Sequence, residues 1–246
     1  AGNGISRISS PASETVDFLA PTGSLTVNMG DGDDTLNFVG LDSQFAASFA
    51  VNGDDGDDEI DGSSLTQAAF LSGGDGNDTV TGGNGDDTLS GGTGDDELDG
   101  DMGTDTLVET ADVTMTLTDT SLAGLGTDML TSLEQAFLTG GASANTLDAS
   151  AFTAGSVTLL GGDGDDQLLG GSAGDSLDGE AGDDTLSGNA GTDTIVGGGG
   201  GDSVLGGDDA DMITVTFSGG TVDVDAGDGD DSIEVRDSAA DIAGTV

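Results

Sequence analysis

Large apolar residues recur at every ninth position over two long stretches of the chain, each two positions after an aspartate. Four such nonapeptides run from Gly73 to Val108 and six from Gly161 to Thr214, and single ones begin at Met29, Gly53 and Ala226. The apolar residues are leucine or β-branched and are followed or preceded by Thr, Ser or Asp, which is typical of very short strands. The thirteen positions are Leu36, Ile60, Val80, Leu89, Leu98, Leu107, Leu168, Leu177, Leu186, Ile195, Val204, Ile213 and Ile233.

Glycine and aspartate fill the positions before each strand, in the pattern G-G-x-G-x-D-x-U-x, where U is the apolar residue. Glycine adopts positive φ without steric cost, so these positions predict a turn. Each nonapeptide then forms a turn and a three-residue strand, and two of them form one coil of about 18 residues. Alternate repeats stack on the same side. The pattern predicts an all-β fold, a right-handed parallel β-roll or β-helix solenoid.

The charge of the chain indicates a cation as its partner. The formal net charge is −47, from 49 acidic residues and only two basic ones, Arg7 and Arg236. Seven of the acids are Glu, and an excess of Asp beside Gly is typical of turns and of hard-cation ligation. Nucleic acid and anionic membranes are poor partners for such a chain. No apolar stretch is long enough for membrane insertion.

Calcium fits this composition better than other metals. The chain has no Cys and no His, so zinc and similar metals lack their usual ligands. Magnesium demands stricter geometry and keeps its waters, whereas Ca²⁺ accepts six to eight oxygens in a flexible arrangement. We therefore expect multiple Ca²⁺ ions as cofactors.

Folding is expected to depend on these ions. The apolar positions are few, and the net charge opposes a compact state. A metal that binds only the folded form contributes its binding free energy to the stability of that form. We expect the phenylalanines to fill coil interiors and loop bases; they are Phe18, Phe38, Phe45, Phe49, Phe70, Phe137, Phe152 and Phe217.

The spacing of the nonapeptides divides the chain into four predicted segments. Residues 1–28 are an N-terminal strand, cap or junction, and residues 29–108 are a β-roll with calcium repeats. Residues 109–160 are metal-poor solenoid coils. Residues 161–246 are a second β-roll with calcium repeats and a C-terminal coil or junction.

The middle segment carries only degraded repeats. Asp128 and Asn145 stand at the turn position of two of them, within TDML and ANTLD. We interpret the segment as a continuation of the solenoid, with an inserted β-subdomain as the alternative and a short helix possible around Leu130–Phe137. Its aspartates Asp112, Asp119 and Asp128 are expected to be solvated.

Two kinds of oxygen are candidate calcium ligands. The first is the carboxylate at the sixth position of each repeat, joined by the one on the stacked turn one coil away: Asp34, Asp58, Asp78, Asp87, Asp96, Asp105, Asp166, Asp175, Asp184, Asp193, Asp202, Asp211 and Asp231. The second is the backbone carbonyl of the turn glycines: Gly74, Gly76, Gly83, Gly85, Gly92, Gly94, Gly162 and Gly164.

These repeats make the chain resemble the RTX family of calcium-binding β-rolls, over residues 53–108 and 161–234 and in one copy at 29–37. The resemblance implies that each ion lies between turns of successive coils, bound by two sixth-position carboxylates and by turn carbonyls. Glu180 and Asn189 depart from it at the second glycine and predict weaker sites. The implied pairs are Asp58/Asp78, Asp78/Asp96, Asp87/Asp105, Asp166/Asp184, Asp184/Asp202, Asp175/Asp193, Asp193/Asp211 and Asp211/Asp231.

The predicted function is structural. Without His, the usual metalloprotease motif and every His-dependent triad are absent, and repetitive turns offer no cleft, so we expect no enzyme. The resemblance implies export by a type I route to the extracellular space or cell surface. We predict a non-catalytic calcium-binding structural or adhesive module of a filament, surface layer or giant adhesin.

Its expected partners are neighbouring repeats or other copies of itself end to end, because residues 23–38 align with residues 220–235. The alternative is an accessory calcium-folding and secretion domain of an exported toxin or hydrolase.

Overall fold

The computed structural model describes residues 5–9, 15–19, 24–39, 48–217 and 220–237, with side chains for 24–38, 48–216 and 220–237. Every regular element in these ranges is a strand. The strands are β1 (Ile5–Ser9), β2 (Thr15–Leu19), β3 (Ser24–Asn28), β4 (Thr35–Val39), β5 (Ser48–Asp55), β6 (Glu59–Asp61), β7 (Ala69–Asp75), β8 (Thr79–Gly83), β9 (Thr88–Thr93), β10 (Glu97–Asp101), β11 (Thr106–Thr110), β12 (Met115–Thr118), β13 (Ser121–Ala123), β14 (Thr127–Thr131), β15 (Gln135–Thr139), β16 (Thr146–Ala151), β17 (Val157–Asp163), β18 (Gln167–Leu169), β19 (Ser176–Ala181), β20 (Thr185–Ala190), β21 (Thr194–Gly200), β22 (Ser203–Asp208), β23 (Met212–Phe217), β24 (Asp223–Asp228) and β25 (Ser232–Asp237).

The chain divides into two compact units. The first comprises Ala1–Glu109 and Thr120–Gln135, and the second comprises Thr110–Asp119 and Ala136–Val246. The four segments expected from the spacing of the repeats remain a prediction.

Two parallel sheets build the first unit. One contains β3, β5, β7, β9 and β11 in that order, and the other contains β4, β6, β8, β10 and β14. Strands that follow one another in the chain therefore alternate between the sheets, as a solenoid of two-repeat coils requires. Three strands depart from this order: β1 is antiparallel to β4, β2 to β1, and β13 to β14.

The second unit repeats the arrangement. One parallel sheet contains β12, β16, β18, β20, β22 and β24, and the other contains β15, β17, β19, β21, β23 and β25. The expected all-β solenoid of parallel strands is therefore confirmed.

Many strands are longer than the three residues expected, because pairing continues through the first positions of the following turn. In β7 and β9 the register joins Leu71 to Leu89 and goes on to join Gly74 to Gly92. The turns are thus held to their neighbours by backbone hydrogen bonds as well as by the apolar interior.

The apolar eighth positions form the interior of both units. Twelve of the thirteen are buried, at 4% exposure or less, and only Ile233 is exposed, at 49%. Alternate members, one coil apart, are paired in register, as Leu177 is with Ile195 and Ile195 with Ile213. Each coil therefore covers the apolar residue of the next one.

Two expectations about the interior need correction. The segment around Leu130–Phe137 contains no helix but the strands β14 and β15, because Leu130 and Leu138 alternate with outward-facing residues at strand spacing. Phe70 is 45% exposed and fills no interior. Its neighbours Ala69 and Leu71 point inward instead.

Of the other phenylalanines, Phe38, Phe49 and Phe152 are buried as expected, and the rings of Phe38 and Phe49 meet edge to face with centroids 4.9 Å apart. Phe137 is half-buried. The side chains of Phe18, Phe45 and Phe217 lie outside the described part of the chain.

No helix in the described ranges has the length and apolar character to cross a membrane.

Candidate metal centres

The sixth-position aspartates form ladders within each unit, because the backbone N–H of one donates to Oδ1 of the one a coil further along. In the first unit the bonds run from Asp34 to Asp58 (2.7 Å), Asp58 to Asp78 (2.7 Å), Asp78 to Asp96 (2.8 Å) and Asp87 to Asp105 (2.7 Å). In the second unit they run from Asp166 to Asp184 (2.8 Å), Asp184 to Asp202 (3.3 Å), Asp175 to Asp193 (2.7 Å), Asp193 to Asp211 (2.9 Å) and Asp211 to Asp231 (3.0 Å). All thirteen candidate aspartates lie in these ladders, and all eight implied pairs are adjacent.

The second oxygen of most of these carboxylates is buried without a hydrogen-bond partner. A buried acceptor left unpaired costs free energy, and a buried charge costs more. Asp175 is different, since its Oδ2 accepts the N–H of Gly171 at 2.6 Å. The unpaired Oδ2 atoms belong to Asp58, Asp78, Asp87, Asp96, Asp105, Asp166, Asp184, Asp193, Asp202 and Asp211.

The first glycine of each repeat makes room for this oxygen. A Cβ on Gly161 would lie 2.5 Å from Oδ2 of Asp166, and one on Gly91 would overlap Oδ2 of Asp96. Neither glycine has positive φ. The sequence pattern assigned the glycines to turn conformation, whereas the first one is required by close packing against its own aspartate.

The second position has positive φ in most repeats, although not at Gly83 or Gly171, and residues other than glycine adopt it too. Asp54, Asp101, Glu180 and Asn189 have φ between 65° and 73°. The amide Nδ2 of Asn189 also donates to the carbonyl of Gly170 at 2.7 Å. The two departures noted in the sequence, Glu180 and Asn189, therefore keep the turn conformation.

Most of the candidate carbonyls point along the stack. A Cβ on the glycine one coil away would overlap the carbonyl oxygens of Gly74, Gly76, Gly85, Gly94 and Gly164. The carbonyl of Gly83 accepts the N–H of Met102 at 2.8 Å. Gly92 and Gly162 share the positive φ of the second position, at 96° and 106°. Successive turns thus present rows of carbonyl oxygens beside the carboxylates.

Burial raises the pKa of these carboxyl groups, and neighbouring carboxylates add to the effect. The pKa rises to about 6 for Asp78, Asp96 and Asp105 and to about 7 for Asp184 and Asp193. It is also raised, again mainly by burial, for Asp58, Asp87, Asp166, Asp175, Asp202 and Asp211. The metal-free fold therefore disfavours the ionised form of the sixth-position aspartates.

Glu109 is a further buried carboxylate, outside the repeats. Its Oε1 accepts the N–H groups of Gly91 at 2.6 Å and Gly92 at 3.1 Å, and burial raises its pKa to about 7. It stands nine residues after Gly100, where the first glycine of another repeat would be. Its side chain therefore satisfies two backbone N–H groups of the turn that carries Asp96.

Side chains outside the nonapeptides extend the ladders. Asp96 donates its N–H to Oδ1 of Asp128 at 3.2 Å, Asp105 donates to Oε2 of Glu134 at 2.9 Å, and the N–H of Asn145 donates to Oδ1 of Asp166 at 2.7 Å. Asp128 is only 1% exposed, so the expectation that it is solvated is wrong.

Asp112 and Asp119 are exposed, as expected. Asp112 accepts hydrogen bonds from Asn145 and Ser143, and Asp119 accepts them from Thr153.

The oxygens of these turns fit calcium. Among the described side chains, no group of three or more His, Cys, Asp or Glu converges on one point, so side chains alone do not complete a coordination shell there. The only basic side chain described, Arg236, pairs with Glu234 at 2.9 Å. A hard cation that accepts carbonyl and carboxylate oxygens in flexible number suits this donor set.

Comparison with protein families gives the same answer. The RTX calcium-binding nonapeptide repeat matches four times, at residues 72–107, 153–177, 170–204 and 178–213. The chain carries RTX calcium-binding nonapeptide repeats. RTX repeats bind multiple Ca²⁺ ions, so the expected cofactor is confirmed, and their β-roll is a structural calcium-binding module. No curated protein matches the chain.

Proposed function

We propose that this chain is a non-catalytic extracellular module that folds and becomes rigid when its RTX repeats bind calcium, as part of a filament, surface layer or giant adhesin. The observation that carries the proposal is the row of ten buried Oδ2 atoms without hydrogen-bond partners. One such atom would be a local defect. Ten such atoms, at equivalent positions of stacked turns, indicate that the fold buries negative charges for which it provides no partner of its own.

The ions would be held by the sixth-position carboxylates together with the turn carbonyls. Asp78 and Asp96 illustrate the arrangement, since they are adjacent in one ladder. In the turn that carries Asp78, the carbonyls of Gly74 and Gly76 face Gly92 and Gly94 of the turn that carries Asp96. Bound calcium supplies the positive charge that the chain lacks. The carboxylates then stay ionised without the cost of burial, and each ion ties two coils together.

An extracellular role is supported by the calcium supply. Extracellular calcium modules bind with dissociation constants of about 0.1–1 mM, near the calcium concentration outside cells. A chain with net charge −47 and few apolar residues stays expanded where calcium is scarce. Such a chain suits export in an unfolded state by a type I route, followed by folding outside.

An assembling role is supported by the last coil described. Ile233 and Val235 on β25 are 49% and 57% exposed, whereas the equivalent Ile213 and Val215 on β23 are buried. A further coil against β25, from neighbouring repeats or another copy, would cover these side chains. The same apolar contact would then pass from module to module along a filament.

Circular dichroism and electron microscopy test the proposal. We expect the chain in chelator to lose its β-structure and to regain it when millimolar calcium is added, but not with magnesium at equal ionic strength. In calcium we expect micrographs to show end-to-end rods that come apart in chelator. Equal β-content in both conditions would refute calcium-dependent folding, and dispersed particles at every calcium concentration would refute the assembling role.

A further inference from the structure

The turn at Ala123–Thr131 keeps most of the repeat pattern without belonging to any nonapeptide identified in the sequence. Its residues are AGLGTDMLT, with glycine at the second and fourth positions, Asp128 at the sixth and Leu130 at the eighth. It follows the repeat at Gly91–Asp99 by 32 residues in place of the usual 18, because β11, β12 and β13 come between. It lies outside the residues that match the RTX repeat.

The structure places this turn where the next repeat of the stack belongs. Leu98 pairs with Leu130 in parallel register, as Leu98 does with Val80 on its other side. The N–H of Met129 donates to the carbonyl of Asp96 at 2.8 Å, as the N–H of Glu97 does to that of Asp78.

The fourth and fifth positions match as well. A Cβ on Gly126 would overlap the carbonyl of Gly94, just as one on Gly94 would overlap that of Gly76. The N–H of Thr127 donates to Oδ1 of Asp95 at 2.8 Å, and the N–H of Asp95 donates to Asn77 in the same way. From its fourth to its eighth position the turn is therefore a repeat in structure, whereas its first position, Ala123, lies in β13, which is antiparallel to β14.

The carboxylates that meet here lack a counter-charge. Asp96 is 2% exposed, and its Oδ2 is buried against Gly91 with no hydrogen-bond partner. Asp128 is 1% exposed, and its Oδ1 accepts the N–H of Asp96. Among the residues of this unit whose side chains are described, 24–38, 48–109 and 120–135, none is basic. Glu109 is a third buried carboxylate on this turn, since its Oε1 accepts the N–H groups of Gly91 and Gly92. A bound cation would offset the cost of burying these charges.

We propose that Ala123–Thr131 is a cryptic repeat that closes a further calcium site against the turn of Gly91–Asp99, with Asp96 and Asp128 as its carboxylate ligands. The proposal rests on calcium binding by the neighbouring repeats. The proposed site adds one calcium-binding coil to the stack of the first unit, beyond the nonapeptide Gly91–Asp99. This coil lies in residues 109–160, which the sequence predicts to be metal-poor.

Terbium luminescence can report on this site when it is combined with removal of Asp128. Tb³⁺ replaces Ca²⁺ and emits when a nearby tryptophan is excited, and the chain has no Trp or Tyr. Met129 is 61% exposed and adjoins Asp128, so Met129→Trp places the sensitiser beside the proposed site. Met212→Trp, at the same position beside Asp211 and 52% exposed, is the matched control in a recognised repeat.

We expect both variants to give emission that excess calcium abolishes. Adding Asp128→Asn to Met129→Trp should remove at least nine-tenths of its emission, because the amide still accepts the Asp96 N–H but carries no charge. Adding Asp119→Asn, an equal charge change at an exposed residue, should leave it unchanged; circular dichroism in calcium should show equal β-content throughout.

Emission from Met212→Trp but not from Met129→Trp would overturn the cryptic site and leave the proposed function intact. If neither variant emits, calcium binding by the repeats, on which the proposed site rests, would be overturned. Full emission from Met129→Trp with Asp128→Asn would exclude Asp128 as a ligand.

Discussion

The turns at Ala123–Thr131 and Gly140–Asp148 have similar places in their units but differ in the residue at the sixth position. Both are degraded repeats, and both donate or accept a ladder hydrogen bond with a neighbouring aspartate. In the first turn that residue is Asp128, whose pKa burial raises to about 6. In the second it is Asn145, an amide with no charge to neutralise.

Asn145 satisfies its own polar atoms. Its Oδ1 accepts the N–H of Gly141 at 2.7 Å, and its Nδ2 donates to Oδ1 of Asp112 at 3.2 Å. Its apolar partner Leu147 is fully buried and pairs with Leu168. The turn, the ladder and the strand thus form without a carboxylate. What aspartate adds at this position is a charge that no described basic side chain balances, and we propose that this charge is what recruits a metal ion to the turn.

The largest expected effect is a pH dependence of the stability of the metal-free chain, and it comes from the turns that carry aspartate rather than asparagine at the sixth position. In the metal-free chain, the raised pKa values mean that the folded form binds more protons than the unfolded form, so stability falls as pH rises. The stabilisation is fully present below about pH 4, the pKa of an unfolded aspartate, and is lost as pH rises through about 6 to 7. Circular dichroism in chelator should therefore show β-structure near pH 4 and its loss by pH 8.

With calcium bound the pH dependence should reverse, because protons and calcium compete for the same carboxylates. Acid should then raise the calcium concentration needed for folding. A metal-free chain whose β-content does not change between pH 4 and pH 8 would contradict the view that unbalanced charge, rather than missing contacts, keeps it unfolded.

The second prediction compares substitutions at the fourth position of the two turns, Gly126 in Ala123–Thr131 and Ser143 in Gly140–Asp148. Gly126→Ala would push a Cβ into the carbonyl of Gly94, so we expect it to lower the free energy of unfolding in calcium by about 1–3 kcal/mol. Ser143, at the same position of the other turn, already carries a Cβ. Ser143→Ala removes a hydrogen bond from its Oγ to Asp112 and should cost only about 0.5–1.5 kcal/mol.

Urea denaturation in saturating calcium measures both changes. Gly126→Ala should also weaken the terbium emission of Met129→Trp, since it displaces a turn of the proposed site. If the two substitutions cost the same, close packing of the fourth glycine would not be a requirement that distinguishes these turns.

The sequence predicts the regular part of this molecule well, because the nine-residue spacing of its apolar residues matches the length of one turn and one strand. The nine-residue period gives the parallel strands, the buried eighth positions and the adjacent aspartate pairs. The degraded repeats were harder to interpret. The sequence predicts that Asp128 is solvated, within the metal-poor middle segment. Only the fold shows that β11, β12 and β13 lie in the 32 residues between Asp96 and Asp128 and return the chain to the stack.

The role of the first glycine was also missed, since its close contact with Oδ2 of the aspartate depends on three-dimensional packing. Glu134 gave no signal in the sequence because it lies in no recognisable repeat. It reaches the Asp105 N–H only through the path of the chain between β14 and β15.

The smallest expected effect comes from giving the second turn the charge that it lacks. Asn145→Asp replaces the amide donor to Asp112 with a carboxylate that faces Asp112 and stands in the ladder with Asp166. At low calcium this should destabilise the fold by about 0.5–1.5 kcal/mol, the size of one lost hydrogen bond, and shift the calcium midpoint upward. In saturating calcium, native mass spectrometry should count one more bound ion than in the original chain. If the count does not change, charge at the sixth position is not sufficient for a site. The requirement would then also include glycine at the fourth position, where this turn has Ser143 and Ala123–Thr131 has Gly126.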